Sequence, residues 1–250
     1  MGRLTRLSKK NDLAIADFTK AIDIDPKNSV VYLNRGQTYA AQQKNDLAIA
    51  DYTKTIDIDP KDPTAYFNRG QAYAAQQKND LVIADYTKTI DINPKDSTAY
   101  IDRGITYAAQ NKYDFAIADF TKSIDINPKE SVAYLDRGIT YTTQQKYDLA
   151  IADFTKSIEL NPNYVNPYIW RGNVFADTKK FTQAISDYQK ALSISPNSYI
   201  YCVQGVTYTK MNEFKLAIPS LEQGVKLDIT SENDWCKSAL ENARLGIQTP

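Results

Sequence analysis

Apolar and polar positions along this chain follow two helical rhythms that keep returning. In the stretch 29–41, Tyr32, Gly36 and Tyr39 fall on one stripe at i, i+4 and i+7, while Asn34, Gln37 and Ala41 fall on the opposite one. From residue 45 onward Ala48, Ile49, Tyr52, Thr55 and Ile56 form a second apolar stripe, with Asp51 and Lys54 expected to face away from it. Only "QQK" separates the two, so the helices should be antiparallel neighbours. The unit closes with "DIDPK": Pro60 biases Asp59 away from helix, and Asp62 followed by Pro63 reads as the N-cap and first residue of the next helix. Glycines at Gly36, Gly70, Gly104, Gly138 and Gly172 stand thirty-four residues apart, as do prolines from Pro26 to Pro196. A fixed period of that length predicts stacked helix pairs.

A glycine within a helix costs about 0.5–1 kcal/mol relative to alanine, so its recurrence needs a reason. The pattern offers close approach: Gly36 and the small Ala48 let two helices draw together, with Tyr39 and Tyr52 filling the flanks. Val82, where other copies carry Ala, is expected to widen that contact locally.

The series Tyr66, Gly70, Tyr73, Val82 (a departure from the usual alanine), Tyr86 and Pro94 closely resembles the tetratricopeptide repeat, and neighbouring copies match it too. The resemblance covers essentially the whole chain. It implies an all-α solenoid of antiparallel helix pairs wound into a right-handed superhelix, with the first helix of each pair lining a concave groove. Copies are expected at 29–62, 63–96, 97–130, 131–164 and 165–197. A divergent one follows at 198–229, where Gly205 comes one residue early, Gln204 replaces the arginine and Pro219 should interrupt and bend the second helix. Residues 230–250 read as a capping helix and tail, with Ser231 and Asp234 as a capping-box start, Trp235, Ala239 and Ala243 as its apolar stripe, and Gly246 as its stop. At the other end, 1–28 read as a truncated repeat: a complete second helix whose partner is cut short, with Gly2 in the glycine slot. Self-association through that open end, giving an oligomeric scaffold, is one alternative role, and recruiting arm of a larger enzyme or secretion-associated protein is another.

Charge and candidate chemistry narrow the function. Thirty basic and thirty acidic residues cancel, so no overall field draws the chain to nucleic acid. No apolar run is long enough for a membrane helix, and the basic start lacks the apolar core of a secretory signal. Cys202 and Cys236 have no metal-type spacing, which predicts free thiols and a cytoplasmic location. The absence of histidine removes the commonest acid–base residue and metal ligand. "DIDPKD" (57–62) lacks the central Gly and distal Glu of a calcium loop, and no phosphate loop or nucleophile motif occurs. No catalytic, cofactor-binding or metal residue is therefore assigned, and a non-enzymatic protein-interaction module is expected.

Two polar series compete for a binding role. Arg35, Arg69, Arg103, Arg137 and Arg171 stand beside the glycines, and Asp51, Asp85, Asp119, Asp153 and Asp187 beside the second-helix aromatics. They belong to the unvarying part of the unit, which points to structural ion pairing. The stripe opposite the packing tyrosines drifts: Asn34 and Gln37, Asn68 and Gln71, Asp102 and Ile105, Asp136 and Ile139, then Trp170 and Asn173. Resemblance to superhelical family members implies that Asn34 and Asn68 grip the backbone of an extended peptide, since an amide both donates and accepts. Carboxylates at Asp102 and Asp136 only accept, and would favour Lys or Arg in the ligand, with Ile105 and Ile139 against its aliphatic stem. Trp170 would be an anchor. Family members that hold acidic chaperone tails use groove-facing lysines, and between Ser29 and Gln145 the first helices carry none.

Overall fold

The computed structural model describes residues 2–228 and 234–246, with side chains from residue 9 onward. It is all-α, with no strand among the described residues. The chain divides into two compact units, 1–128 and 129–250. The first holds α1 (Gly2–Ile24), α2 (Ser29–Ala41), α3 (Asn45–Ile58), α4 (Pro63–Ala75), α5 (Asn79–Ile92), α6 (Ser97–Ala109) and α7 (Tyr113–Ile126). The second holds α8 (Ser131–Thr143), α9 (Tyr147–Leu160), α10 (Val165–Asp177), α11 (Phe181–Ile194), α12 (Ser198–Lys210), α13 (Phe214–Leu227) and α14 (Asp234–Arg244). Within each unit consecutive helices pack on one another, the arrangement of an α-solenoid.

Local chemistry explains where the helices start and turn. Asp62 caps α4 by accepting from the Thr64 amide at 2.8 Å, with Pro63 in the first turn where its missing N–H leaves nothing unsatisfied. Each pair turns on one residue in the left-handed region, Gln43 at φ 59° in the first case. There the Lys44 amide donates to the Tyr39 carbonyl and the Gln43 amide to that of Ala40, at 2.9 and 2.8 Å. These bonds satisfy the carbonyls that a helix end leaves open.

The core of a pair is one ring laid on one glycine. A Cβ added to Gly36 would stand 2.7 Å from Tyr52 Cε1, so the ring occupies the space that any side chain would need. Phe120 and Phe154 cover Gly104 and Gly138 in the same way. Val82 does not widen the contact at its pair: it is fully buried, and Tyr86 would meet a Gly70 Cβ at 2.8 Å, as close as elsewhere.

Several expectations need correction. Asp51 does not face away; it is 5% exposed and turned towards Arg35, because an ion pair there outweighs the outward position that periodicity assigns. The first repeat is not a short helix followed by a turn. α1 runs unbroken to Ile24, through Lys9 where later pairs have their left-handed residue. Pro219 does not interrupt α13, which continues to Leu227 with Ala217, Leu221 and Gly224 buried on both sides of the proline. Ser231 lies outside the described residues. Gly246 has a φ of +68°, as a helix stop requires.

Cys202 and Cys236 are not free thiols but a disulfide. α12 and α14 lie on either side of Gly224, and the cysteine Cα atoms are 5.5 Å apart, close enough to bond.

Candidate functional site

The unvarying charged residues consume one another. Arg35 donates from Nε and Nη2 to the two Asp51 oxygens, both at 2.8 Å, and from Nη1 to Thr19 Oγ1 at 3.0 Å. The rings of Tyr32 and Tyr39 lie 5.7 and 5.9 Å from its guanidinium. Such a forked pair holds the arginine in plane, and the hydrogen bond to Asp51 raises its pKa despite burial. Arg69 repeats the arrangement with Asp85 and Thr53, Arg103 with Asp119 and Thr87, and Arg171 with Asp187 and Thr155. Arg137 makes the same fork with Asp153. For Arg35, Arg69, Arg103 and Arg171 the threonine comes from the preceding pair, so these braces tie two repeats together. These groups are structural and offer a ligand little.

The drifting positions lie on the first helices, and the structure gathers some of them and not others. In the first unit Gln71, Asp102 and Ile105 line one pocket of about 290 Å³ with Ala74, Tyr86 and Thr106. Gln71 and Ile105 are exposed and Asp102 is half-buried. Burial pushes the Asp102 carboxyl up to about 6, with the Asp96 charge adding to the shift and the Gln71 amide and Tyr86 hydroxyl pulling against it. Asn34, Gln37 and Asn68 lie outside this pocket. Asn34 and Asn68 are half-buried, and Gln37 is exposed. The Nδ2 of Asn68 is buried without a hydrogen-bond partner, an unmet donor of the kind that a native structure rarely keeps without reason.

In the second unit Trp170 and Asn173 meet at a pocket of about 320 Å³ whose further walls include Tyr199, Val203, Lys210 and Trp235. Asn173 is already engaged: its Oδ1 accepts from the Tyr188 hydroxyl at 2.8 Å and its Nδ2 donates to Tyr199 Oη at 3.2 Å. Trp170 is half-buried, packing with Ile139 and Tyr164 against Leu135, Phe154 and Val174, so it is partly core. Asp136 and Ile139 are half-buried and outside this pocket.

Sequence reasoning missed the pocket residues Tyr86, Tyr188, Tyr199 and Trp235. The first two sit in the packing stripe, but a phenol buries its ring and can still present its hydroxyl to the groove side. The slot carries tyrosine at Tyr52, Tyr86 and Tyr188 and phenylalanine at Phe120 and Phe154, a variation that packing alone does not need. Trp235 is a correction: Ala239 and Ala243 are buried as an apolar stripe demands, but Trp235 is 40% exposed and meets Tyr199 edge-on with ring centroids 6.3 Å apart.

Tetratricopeptide repeat profiles match nearly every segment of the chain described above. Four copies of one profile cover 1–28, 63–96, 165–198 and 198–228, and others cover 18–50, 36–77, 97–130 and 131–164. The chain belongs to the tetratricopeptide repeat family. No curated protein sequence matches it. Among solved structures it is similar to the C-terminal part of a tetratricopeptide repeat-containing protein from Cytophaga hutchinsonii (21% identity over 94% of this chain and 97% of that one, TM-score 0.75). It is also similar to YrrB, a tetratricopeptide repeat protein with an unusual peptide-binding site (19% identity, 73% of this chain and 94% of that one, TM-score 0.62). A third is a chain of the Cut9–Hcn1 hetero-tetramer (17% identity, 94% and 46%, TM-score 0.71). At these identities the likeness is one of fold. Membership in the tetratricopeptide repeat family supports a protein-interaction module. No helix among the described residues is long and apolar enough to cross a membrane.

Proposed function

We infer that this tetratricopeptide repeat protein is a non-catalytic module that binds an extended segment of a protein partner along the first helices of its pairs. The observation that carries the reading is the division of polar labour. The unvarying arginines and aspartates are saturated by each other, whereas the drifting Gln71, Asp102 and Ile105 converge on one open pocket. In the first unit Asn34 and Asn68 would hold the ligand backbone, Asn68 with its unmet donor, and Asp102 with Ile105 would take a Lys or Arg side chain. In the second, Asp136 and Ile139 repeat that chemistry, and Trp170 with Asn173 offers an anchor. YrrB, similar in fold, is described as having a peptide-binding site, which supports the same class of ligand here.

Charge makes the reading testable. A carboxyl held near 6 is ionised at pH 7 and neutral at pH 5, so attraction for a cationic side chain should fade as pH falls through about 6. Fluorescence polarisation with extended peptides, lysine-bearing and neutral, should show tighter binding of the basic one at pH 7. That preference should shrink at pH 5 and disappear in Asp102→Asn. Equal affinity of both peptides for both proteins would remove the electrostatic part of the proposal.

A further inference from the structure

The pocket of the second unit is lined from α8, α10, α11, α12 and α14, and the last of these is a short helix tied down by a covalent bond. α14 has eleven residues, too few for a helix that is stable alone. It buries Cys236, Ala239, Leu240 and Ala243, only one of them a large side chain. Its outer tie, Arg244 to Glu222 at 2.8 Å, is half-exposed on both sides and worth little. The buried side chains of α14 pack against Ala217 and Leu221 of α13, and the one covalent hold is the disulfide from Cys236 to Cys202 on α12. That bond is seated on Gly224, where an added Cβ would stand 2.5 Å from Cys202 Sγ and 3.1 Å from Cys236 Sγ. One residue before Cys236, Trp235 reaches into the pocket against Tyr199.

We propose that the Cys202–Cys236 disulfide gates this pocket. Oxidised, it holds α14 down and Trp235 in place as a wall beside Trp170 and Tyr199. Reduced, α14 separates and the wall is lost. The reductant is a dithiol: two electrons and two protons pass to the protein, which gains two thiols, and the dithiol leaves as its own disulfide. Both sulfurs are fully buried, so attack requires α14 to lift, and the motion that opens the pocket is also the one that admits the reductant. By linkage, a ligand that touches Trp235 protects the disulfide from reduction. Only that consequence for a ligand rests on the function inferred above; the gate itself does not.

The chain's two tryptophans, Trp170 and Trp235, both line the pocket, so intrinsic fluorescence reads it without any ligand. A full-length Trp170→Phe variant reports Trp235 alone. Dithiothreitol, with thiol titration confirming two thiols per chain, should shift its emission to the red and raise acrylamide quenching. Adding Cys202→Ser and Cys236→Ser should reproduce that spectrum and abolish the response to dithiothreitol. Far-UV circular dichroism should lose no more than the helix of α14. Unchanged emission and quenching in the reduced protein and in the serine variant would overturn the gate. So would a loss of helix well beyond α14, which would make the disulfide a staple for the unit.

Discussion

The pair α4–α5 and the pair α12–α13 are two spellings of one design, held by different chemistry. In the first, Arg69 forks onto Asp85 and reaches back to Thr53, and Tyr86 lies on Gly70. In the second the arginine and aspartate are gone. Gln204 and Ser220 stand at the same separation of sixteen residues, and the Ser220 hydroxyl donates to Gln204 Oε1 at 3.1 Å. Leu221 replaces the ring, with its Cγ 2.5 Å from where a Gly205 Cβ would be. A disulfide and α14 close this pair instead. The difference teaches that the geometry of the pair, a bulky side chain on a glycine with a polar cross-brace beside it, outlasts the charges that usually make the brace.

The comparison can be broken by removing each brace. Asp85→Ala leaves Arg69 largely buried without its counter-charge, and should destabilise the protein by about 3–5 kcal/mol in urea unfolding. Gln204→Ala removes a neutral hydrogen bond and should cost about 1 kcal/mol in the same assay. Similar losses for the two would mean that the charges add nothing to the brace. Repeat arrays can unfold in parts, so both variants need circular dichroism and tyrosine fluorescence to be followed together.

How much of this was legible beforehand varied with the physics involved. The period, the helix pairs and the glycine contact were readable, because each is a local pattern repeated with little change from Gly36 to Gly172. Burial of Asp51 was not, since periodicity places a residue on a face but says nothing of an arginine sixteen positions earlier. The pairing of Cys202 with Cys236 escaped for a similar reason. Neither cysteine carries a local signal, and their proximity follows from the stacking of α12 and α14 on Gly224. The drifting positions were readable as drift. Which of them share a pocket was not, because Tyr86 and Tyr199 enter from other helices.

The central claim is that the unvarying residues build and the drifting ones bind. Its most direct test combines Gln37→Ala, Gln71→Ala, Asp102→Asn and Ile105→Ala in one full-length variant. Two of these side chains are exposed amides and Ile105 is half-exposed, so their effect on unfolding should stay within about 0.5 kcal/mol each. Isothermal titration with the lysine-bearing extended peptide should then show binding by the parent protein and none by the variant, at matched stability. Undiminished binding by a variant that unfolds like its parent would contradict the account and move the interaction off the first helices.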